Sequence, residues 1–395
     1  MQAPAGARPL DGVRVLELGH FAVGPYAAML LADWGADVVK VEPPGGEPIR
    51  QWPPLLESEG EPGYGLNFAA INRNKRSVAI DFKTPEGRAR VERLAAKADI
   101  LIENYRPGVL AKLGLGYEQL RVANPKLVYC SITGYGQDGP YRDKGAFDIA
   151  VQGMSGIMSV TGEPDGPPAK SGLPIADYGS AVFAAMSCMV GLRQAEHTGQ
   201  GLYLDVPMLS CMLAMSCLHT SDYWGSGVVP ARMGSRHPTN APYQAFSGRD
   251  GKFFIVAAGS DRLWERLTRV LDAPSLAQDE RFGTTGARAR NQQELAPLLQ
   301  ARFSQQDAAH WLAVLEAAEV PCAPVLDYAE ALSSPHVRET RLVREMELPG
   351  GRKVPTVANP VHMTGYEFEV FRRPPRAGEH DSEVARDWLG EAGDA

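Results

Sequence analysis

Asp177 is one side chain of this 395-residue sequence that could do chemistry, and it lies in the segment LPIADYGSA that begins at Leu173. A proline-containing apolar stretch meets a long helical pattern there, which predicts a carboxylate at or near a helix N-terminus. As an N-cap, aspartate would accept hydrogen bonds from free backbone amides. As a nucleophile, a carboxylate attacks an activated acyl carbon and forms an anhydride. The residues alone leave both roles open.

A basic cluster offers a second kind of chemistry. Residues 72–76 (NRNKR) carry three cations, and Lys83, Arg106 and Lys112 follow within forty residues. Such a cluster can meet the phosphates of a ligand, but cationic clusters more often form a solvated face that needs no ligand. The glycine loop Gly19–Gly24 opens a helix whose amides can face an anion. A tight turn explains that loop equally well, and its spacing does not match the G-x-G-x-x-G pattern of NAD-binding proteins.

Several other classes of function lose support from the sequence. The formal net charge is −7, which opposes general binding to nucleic acid or to an anionic membrane. The eight histidines and five cysteines do not fall at metal-ligand spacing, so we predict no metal cofactor. The spacing of Gly19 and Gly24 likewise leads us to predict that NAD is not a cofactor. The most apolar helical pattern, 178–192, is too short to cross a bilayer. Unpaired, scattered cysteines favour a reducing cytoplasm, and we expect the protein there.

Alternating strand and helix patterns must position these groups. Apolar runs at 13–18 and 37–42 flank a helical pattern, and further runs begin at Ile100 and Leu127 after helical segments. This alternation predicts an α/β fold with an open parallel, Rossmann-like sheet. We expect a large domain over residues 1–224, a small α+β domain over 225–330, and a return segment, 331–395, that packs on the large domain.

Ordered motifs across the chain resemble the family III CoA-transferases, which include formyl-CoA and carnitine CoA-transferases of the CaiB/BaiF type. The resemblance runs from about residue 9 to 390 and includes LDGVRVLELGHFAVGPYAAMLLADWGADVVKVEPPGGEPIR, NRNKRSVAIDFKTPEGR, ILIENYRPGVLAKLGLGYEQL, LPIADYGSA, HTGQGLYLDVPML and GEHDSEV. It implies an interlocked homodimer that moves CoA from an acyl-CoA to a small carboxylic acid.

The resemblance also implies roles for individual residues. Asp177 takes the place of the family's catalytic aspartate, which forms an acyl anhydride and then a CoA thioester. Pro43 stands where some family members have an arginine for a CoA phosphate, and Lys40, Arg50 or Arg73 are candidates to replace it. The implied contacts to CoA, together with the basic cluster, are Ala22, Val23, Lys40, Arg73, Lys75, Ile80, Lys83, Asn104, Tyr105, Arg106, Lys112, Lys144 and Phe147.

Two alternatives to CoA transfer stay open. The same fold supports α-methylacyl-CoA racemases, which exchange a proton between a histidine and an aspartate, but here the histidine position holds Phe147. A CoA-binding protein without turnover is the other alternative. The stretch HPTNAPYQAF at His237 resembles members acting on dicarboxylic acids with succinyl-CoA, and the glycine run of formyl-CoA transferases is missing after residue 225. This disfavours formate and oxalate; Arg232, Arg236 and His237 either meet a distal carboxylate or form a solvated loop.

Overall fold

A computed structural model describes residues 8–58 and 61–391, and these fall into two compact units. Among the described residues, the first unit contains 8–157, 171–221 and 337–391, and the second contains 158–170 and 222–336. The segment 158–170, which the sequence analysis placed in the large domain, belongs to the second unit. The Gly234 amide donates to the Gly162 carbonyl at 2.9 Å, and Arg232 Nε donates to the Glu163 carbonyl at 3.3 Å.

The strands of the described residues divide among four sheets. They are β1 (Arg14–Glu17), β2 (Asp37–Glu42), β3 (Leu55–Ser58), β4 (Glu61–Gly65), β5 (Lys75–Ala79), β6 (Ile100–Glu103), β7 (Val128–Thr133), β8 (Leu202–Pro207), β9 (Tyr243–Ser247), β10 (Phe253–Ala257), β11 (Cys322–Pro324), β12 (Val343–Glu347) and β13 (Lys353–Val357).

The α-helices connect and cover these sheets, and one 3-10 helix spans Pro48–Gln51. They are α1 (Val23–Asp33), α2 (Leu66–Asn72), α3 (Pro85–Ala95), α4 (Val109–Lys112), α5 (Tyr117–Ala123), α6 (Asp148–Met154), α7 (Ile157–Val160), α8 (Ile175–Thr198), α9 (Met208–Met215), α10 (Cys217–Ser226), α11 (Asp261–Val270), α12 (Pro274–Gln278), α13 (Thr285–Arg290), α14 (Gln292–Phe303), α15 (Ala308–Ala317), α16 (Tyr328–Leu332), α17 (Pro335–Glu339) and α18 (Asp381–Leu389).

A six-stranded parallel sheet organises the first unit, in the order β5-β2-β1-β6-β7-β8. This confirms the predicted α/β fold. Numbered along the chain within this sheet, the order is 3-2-1-4-5-6, the Rossmann arrangement, and it reverses direction between β1 and β6. In sheets of this order, ligands bind at the carboxyl edge of the strands, beside the point where the order reverses.

Alternation along the strands supplies two hydrophobic layers, one on each face of the sheet. Val15 faces a core that contains residues of α1, α8 and α9, whereas its neighbour Leu16 faces a core that contains residues of α3, α5 and α18. Such runs, apolar on both faces, are expected of a parallel sheet covered by helices on both sides. The layer that contains α1 and α8 is the one that carries Asp177.

Helix α8 corrects a prediction. It has 24 residues and an 18-residue window with a mean hydropathy of 1.4, so by length and composition it could cross a bilayer, which the shorter predicted pattern could not. Its buried residues, such as Ala184 and Cys188, pack into the core of the first unit. Gly191 allows this approach, since a Cβ there would lie 2.8 Å from Val128 Cγ1. Less than half of that window, 44%, is buried.

The end of the chain packs on the first unit through charges as well as apolar contacts. Trp388 of α18 is buried in the core formed with α3 and α5, and its indole donates to Asp37 at 2.7 Å. Arg76 of β5 bonds Asp387 at 3.0 Å and Glu383 at 3.3 Å. Helix α18 is thus bonded to β5, although the paired residues lie more than 300 positions apart in the sequence.

The second unit has its own core. Its sheet has the order β11-β10-β9, and both strand pairs are antiparallel. Phe246, Phe254 and Trp264 are buried there with residues of α14 and α15. The guanidinium of Arg288 is fully buried and donates to the Ala241, Gly259 and Phe282 carbonyls, which fixes three separate loops to α13.

Candidate active site

Asp177 is the third residue of α8 and is not its cap. The helix begins after Pro174, which has no side chain able to cap, and Asp148 supplies the missing acceptor. Asp148 Oδ1 accepts from the Ala176 amide at 2.8 Å and from the Asp177 amide at 3.3 Å. Within the described part of the chain, the Asp177 carboxylate itself accepts no hydrogen bond. The capping role that the sequence left open for Asp177 is therefore filled by another residue.

Burial and a second carboxylate both act on Asp177. Partial burial is the larger effect, and together with the negative charge of Asp148 it raises the pKa of Asp177 from 3.8 to about 7. An ordinary aspartate on the first turn of a helix has the opposite shift, because amides and the helix dipole favour the anion. A carboxyl group perturbed in this way, on the surface of a ligand-binding fold, is a candidate for chemistry.

Two tyrosines contact each other at the start of α8. The rings of Tyr26, from α1, and Tyr178, from α8, have centroids 4.7 Å apart. Burial raises the pKa of Tyr178, and the neighbouring Tyr26, Asp177 and Asp148 raise it further, so the phenol stays neutral. The aromatic contact joins the start of α8 to α1, the helix that follows the loop after β1.

The loop after β1, here called the first loop, is fixed to the loop after β6 at the carboxyl edge of the sheet. Asn104 accepts from the His20 amide at 2.9 Å through Oδ1 and donates to the His20 carbonyl at 2.9 Å through Nδ2. The His20 ring packs on Tyr105 with centroids 4.9 Å apart. Burial and the charge of Lys40 lower the pKa of His20 to about 4, so the ring is neutral. Ala22 directly precedes α1 in the same loop.

Three predicted CoA contacts, Lys40, Arg73 and Lys75, have side chains that lie inside the protein. Lys40 and Lys75 are fully buried, and Arg73 is 4% exposed. Lys40 Nζ lies 2.7 Å from Glu17 Oε1 and donates to the Gly19 carbonyl at 2.9 Å.

The other two cations are satisfied in the same way. Lys75 Nζ lies 2.8 Å from Glu17 Oε2 and donates to the Pro25 carbonyl at 2.7 Å. Arg73 pairs with Asp33 at 2.7 Å. These cations bind the loop after β1 and helix α1 from the protein interior. None of them is available to a phosphate in this structure.

Arg50 is the third candidate that the sequence offered in place of an arginine at Pro43. It forms two hydrogen bonds with Glu42, at 2.7 and 2.5 Å, and donates to the Pro375 carbonyl at 2.9 Å. Its guanidinium also lies 3.6 Å from the centroid of the Phe68 ring. Arg50 is thus committed to the fold, like Lys40 and Arg73.

The remaining predicted contacts are distributed around the carboxyl edge of the sheet. Val23 and Ile80 are buried, and their side chains belong to the core. Arg106 follows β6 and packs against Gly145, where a Cβ would lie 2.9 Å from its Nη2. This contact brings the segments after β6 and β7 together. The exposed predicted contacts are Lys83, Arg106, Lys112, Lys144 and Phe147, the last being 74% exposed.

Asp148 was not among the residues predicted from the sequence, although it immediately follows the predicted contact Phe147. One local signal was present, since Asp148 and Gln152 are four residues apart and so share a helix face. Nothing in the sequence indicated that the partner of Asp148 would be the start of α8. As for metals, no group of three or more His, Cys, Asp or Glu side chains able to hold an ion occurs among residues 8–58 and 61–391.

Comparisons with known proteins show which family the chain is similar to. The chain is 41% identical over 379 residues to the succinate–glutarate CoA-transferase of Agrobacterium fabrum, covering 95% of this chain and 94% of that protein. It is 38% identical to the acetyl-CoA:oxalate CoA-transferase of Acetobacter aceti, covering 96% of each. The crystal structure of a CaiB/BaiF family protein from Brucella suis superposes with a TM-score of 0.86 at 39% identity, covering 96% of this chain and 99% of that one.

The model of the family described as CoA-transferase family III matches residues 10–381, nearly the whole chain. This match agrees with the Rossmann-type sheet and with the resemblance found in the sequence. The chain therefore belongs to CoA-transferase family III, and it is a CoA-transferase.

Proposed function

We propose that this enzyme moves CoA from succinyl-CoA to a second dicarboxylic acid, with Asp177 as the nucleophile. One observation carries the role of Asp177: its carboxylate lies on the first turn of α8, and no cation or amide among residues 8–58 and 61–391 bonds to it, because Asp148 occupies the Ala176 and Asp177 amides. An uncompensated carboxylate is available for attack, whereas a capping carboxylate would have to break hydrogen bonds first.

The chemistry proceeds in two symmetrical halves. Asp177 attacks the thioester carbonyl of the donor, the C–S bond breaks, and an acyl-aspartyl anhydride and CoA thiolate form. The thiolate then attacks the aspartyl carbonyl and releases the donor acid, which leaves CoA on Asp177 as a thioester. The acceptor carboxylate attacks this thioester, and the thiolate returns to the acceptor's acyl carbon, which regenerates the free carboxylate. No net proton or electron is needed.

Support for a dicarboxylic acceptor comes from relatives and from the sequence. The Agrobacterium relative, at 41% identity, is named for succinate and glutarate. The sequence around His237, HPTNAPYQAF, resembles members acting on such acids. A relative named for oxalate is nearly as similar, so the acceptor panel must include oxalate beside glutarate.

Racemisation is the competing activity of the same fold, and Phe147 argues against it. The aromatic side chain is 74% exposed at the start of α6, where the racemases carry a histidine. A phenyl ring cannot take or give a proton, so a two-base exchange at the α-carbon lacks one base. Incubation in deuterium oxide tests this, because a racemase would place deuterium on the α-carbon of an acyl-CoA without an acceptor.

The central test replaces Asp177. Asp177→Ala should reduce transfer from succinyl-CoA to glutarate by at least about 10³-fold while CoA binding stays within about threefold of wild type. Wild type incubated with succinyl-CoA and no acceptor should carry one CoA on the peptide containing Asp177, and hydroxylamine should convert it to a hydroxamate. Substantial transfer by Asp177→Ala would remove Asp177 from the mechanism.

We also propose the interlocked homodimer of the family. The support is an apolar stripe on α8, formed by Val182, Met186 and Val190, whose exposed fractions are 53, 56 and 64%. These residues recur every four positions and so share one face, which a monomer would leave in water. Met186→Arg should convert the dimer to a monomer in light scattering. Val122→Arg is the matched control, because Val122 is 81% exposed on α5; equal effects would contradict the proposal.

A cytoplasmic location completes the proposal. Cys130, Cys188, Cys211, Cys217 and Cys322 are all free thiols. Free thiols persist where the environment is reducing. Fractionation of the cells that make the protein, followed by alkylation and mass spectrometry, should find it in the cytoplasmic fraction with all five thiols modified.

A further inference from the structure

Asp148, the first residue of α6, uses its two carboxylate oxygens to connect α6 to the start of α8. Its Oδ1 receives the Ala176 and Asp177 amides, and its Oδ2 receives the side-chain amide of Gln152 at 2.6 Å. Gln152 is fully buried, and its own oxygen accepts from the Ser171 amide at 2.8 Å. A chain of hydrogen bonds therefore fixes the segment before α8 and the first turn of α8 to α6.

We propose that Asp148 is a positioning residue, which occupies the amides at the start of α8 so that the Asp177 carboxylate stays uncapped and free to attack the acyl carbon. This inference rests on the proposed role of Asp177 as nucleophile. Free amides at a helix N-terminus recruit the nearest acidic side chain, and a side chain on the first turn is well placed to be recruited. With Asp148 present, those amides are already paired.

The second consequence is electrostatic. Besides the burial of Asp177, the negative charge of Asp148 is what keeps that carboxyl group basic. The groups facing the start of α8 from its neighbours are Asp148 on α6, Tyr26 on α1 and, one turn further along, Cys211 on α9 beside Ser180. None of these three groups is a cation. A more basic carboxylate is the stronger nucleophile once it is ionised.

Two variants separate capping from charge. Asp148→Asn keeps an oxygen for the Ala176 amide but removes the charge. Asp148→Ala removes both and frees the amides for Asp177. The acidic limb of the pH profile of kcat/KM for succinyl-CoA should move down by about one pH unit in Asp148→Asn and further in Asp148→Ala. In Asp148→Ala, kcat should also fall roughly tenfold to hundredfold, because the carboxylate turns toward the helix amides.

A double variant that moves the negative charge from residue 148 to residue 152 distinguishes a specific effect of Asp148 from simple misfolding of the single variants. In Asp148→Asn the new amide faces the amide of Gln152, and Gln152→Glu converts that conflict into a hydrogen bond. The double variant D148N/Q152E should therefore recover stability relative to Asp148→Asn and return the acidic limb part of the way to wild type. Asp327→Asn is the matched control, because Asp327 caps α16 through its side chain, remote in sequence from Asp177, and it should leave the profile unchanged.

The result distinguishes this inference from the proposed function. If Asp177→Ala is inactive but all Asp148 variants keep the wild-type acidic limb and kcat, the nucleophile stands and the positioning role is wrong. If Asp177→Ala retains transfer, the nucleophile is wrong whatever Asp148 does. Formation of the Asp177 thioester in a single turnover without acceptor, followed by intact-protein mass spectrometry at pH 5.5 to 8.5, gives the same reading independently of product release.

Discussion

Two acidic side chains, Glu17 near the first loop and Asp177 at the start of α8, are shielded from water by burial. Their pKa values nevertheless shift in opposite directions. Glu17, at the end of β1, is fully buried between Lys40 at 2.7 Å and Lys75 at 2.8 Å. Burial acts to raise its pKa, but the two cations together hold it below the usual value. Asp177 is only half-buried, has another carboxylate as neighbour, and has its pKa raised to about 7.

The pKa values of Glu17 and Asp177 differ because opposite charges neutralise Glu17, and not because of how deeply each side chain is buried. The charges around Glu17 are paired, and their remaining protons go to the Gly19 and Pro25 carbonyls, so the cluster fixes the backbone of the first loop. Asp177 is left unpaired, and its helix is capped by another residue. The cluster under the first loop thus supports structure, whereas the uncompensated carboxyl group is the one available for chemistry.

The largest expected effect on stability comes from removing the negative charge of Glu17 from the buried cluster of Glu17, Lys40 and Lys75. Glu17→Gln leaves Lys40 with Glu47 and leaves Lys75 without a carboxylate. Burial already lowers the pKa of Lys75 to about 8, so the unpaired cation is unfavourable there. The free energy of unfolding should fall by about 3 to 5 kcal/mol in urea titrations.

An exposed ion pair provides the control for that measurement. Glu118→Gln removes the pair with Arg121 on the surface of α5 and should change the free energy of unfolding by less than about 1 kcal/mol. A loss as small as this for Glu17→Gln would mean that the buried cluster does not stabilise the first loop. The acidic limb of the activity profile should not move in Glu17→Gln, since Asp177 is untouched.

The sheet could be predicted well because each of its strands is recognisable from its own short stretch of sequence. The runs at 13–18 and 37–42 are apolar on both faces, and this pattern follows directly from a sheet covered by helices on each side. Asp177 was also found early, because a proline-containing stretch before a long helical pattern marks a helix start. These features depend on neighbours within a few residues.

The roles of the cations could not be predicted in the same way. The NRNKR segment looks like a surface or a phosphate site, but Lys75 meets Glu17, which lies 58 positions earlier. Asp148 is 28 positions from the Ala176 amide that it accepts. No local pattern shows which partner a charged residue will find after the strands pair, so pairing partners that depend on sheet order stay hidden in a single sequence.

An intermediate effect is expected from Asp177 itself. Because its folded pKa, about 7, lies above the ordinary 3.8, the folded protein binds more protons than the unfolded chain between these pH values. Stability from this group is therefore lost as pH rises from about 4 to 7. Asp177→Asn removes that loss, so its advantage over wild type should grow across this window to about 1 to 2 kcal/mol above pH 7, after allowing for solvent around a half-buried group.

Urea titrations of both proteins at pH 5 and pH 8 measure that difference. A constant offset between the two stability curves would show that Asp177 titrates normally and that the contrast with Glu17 is absent. A difference that grows with pH supports the contrast. Because the same variant lacks the proposed nucleophile, its stability should rise while its activity falls.

The smallest expected effect concerns the exposed lysines at the carboxyl edge, which sharpen the contrast with the buried Lys40 and Lys75. Lys83, Lys112 and Lys144 are exposed, and each replaced by alanine should raise KM for acyl-CoA about twofold to fivefold, with the effect shrinking in added salt. Lys126→Ala is the control, because Lys126 is exposed at the opposite edge, just before β7. If Lys126→Ala has the same effect as the other three, the lysines act only through net charge, and the carboxyl edge has no special place in binding CoA.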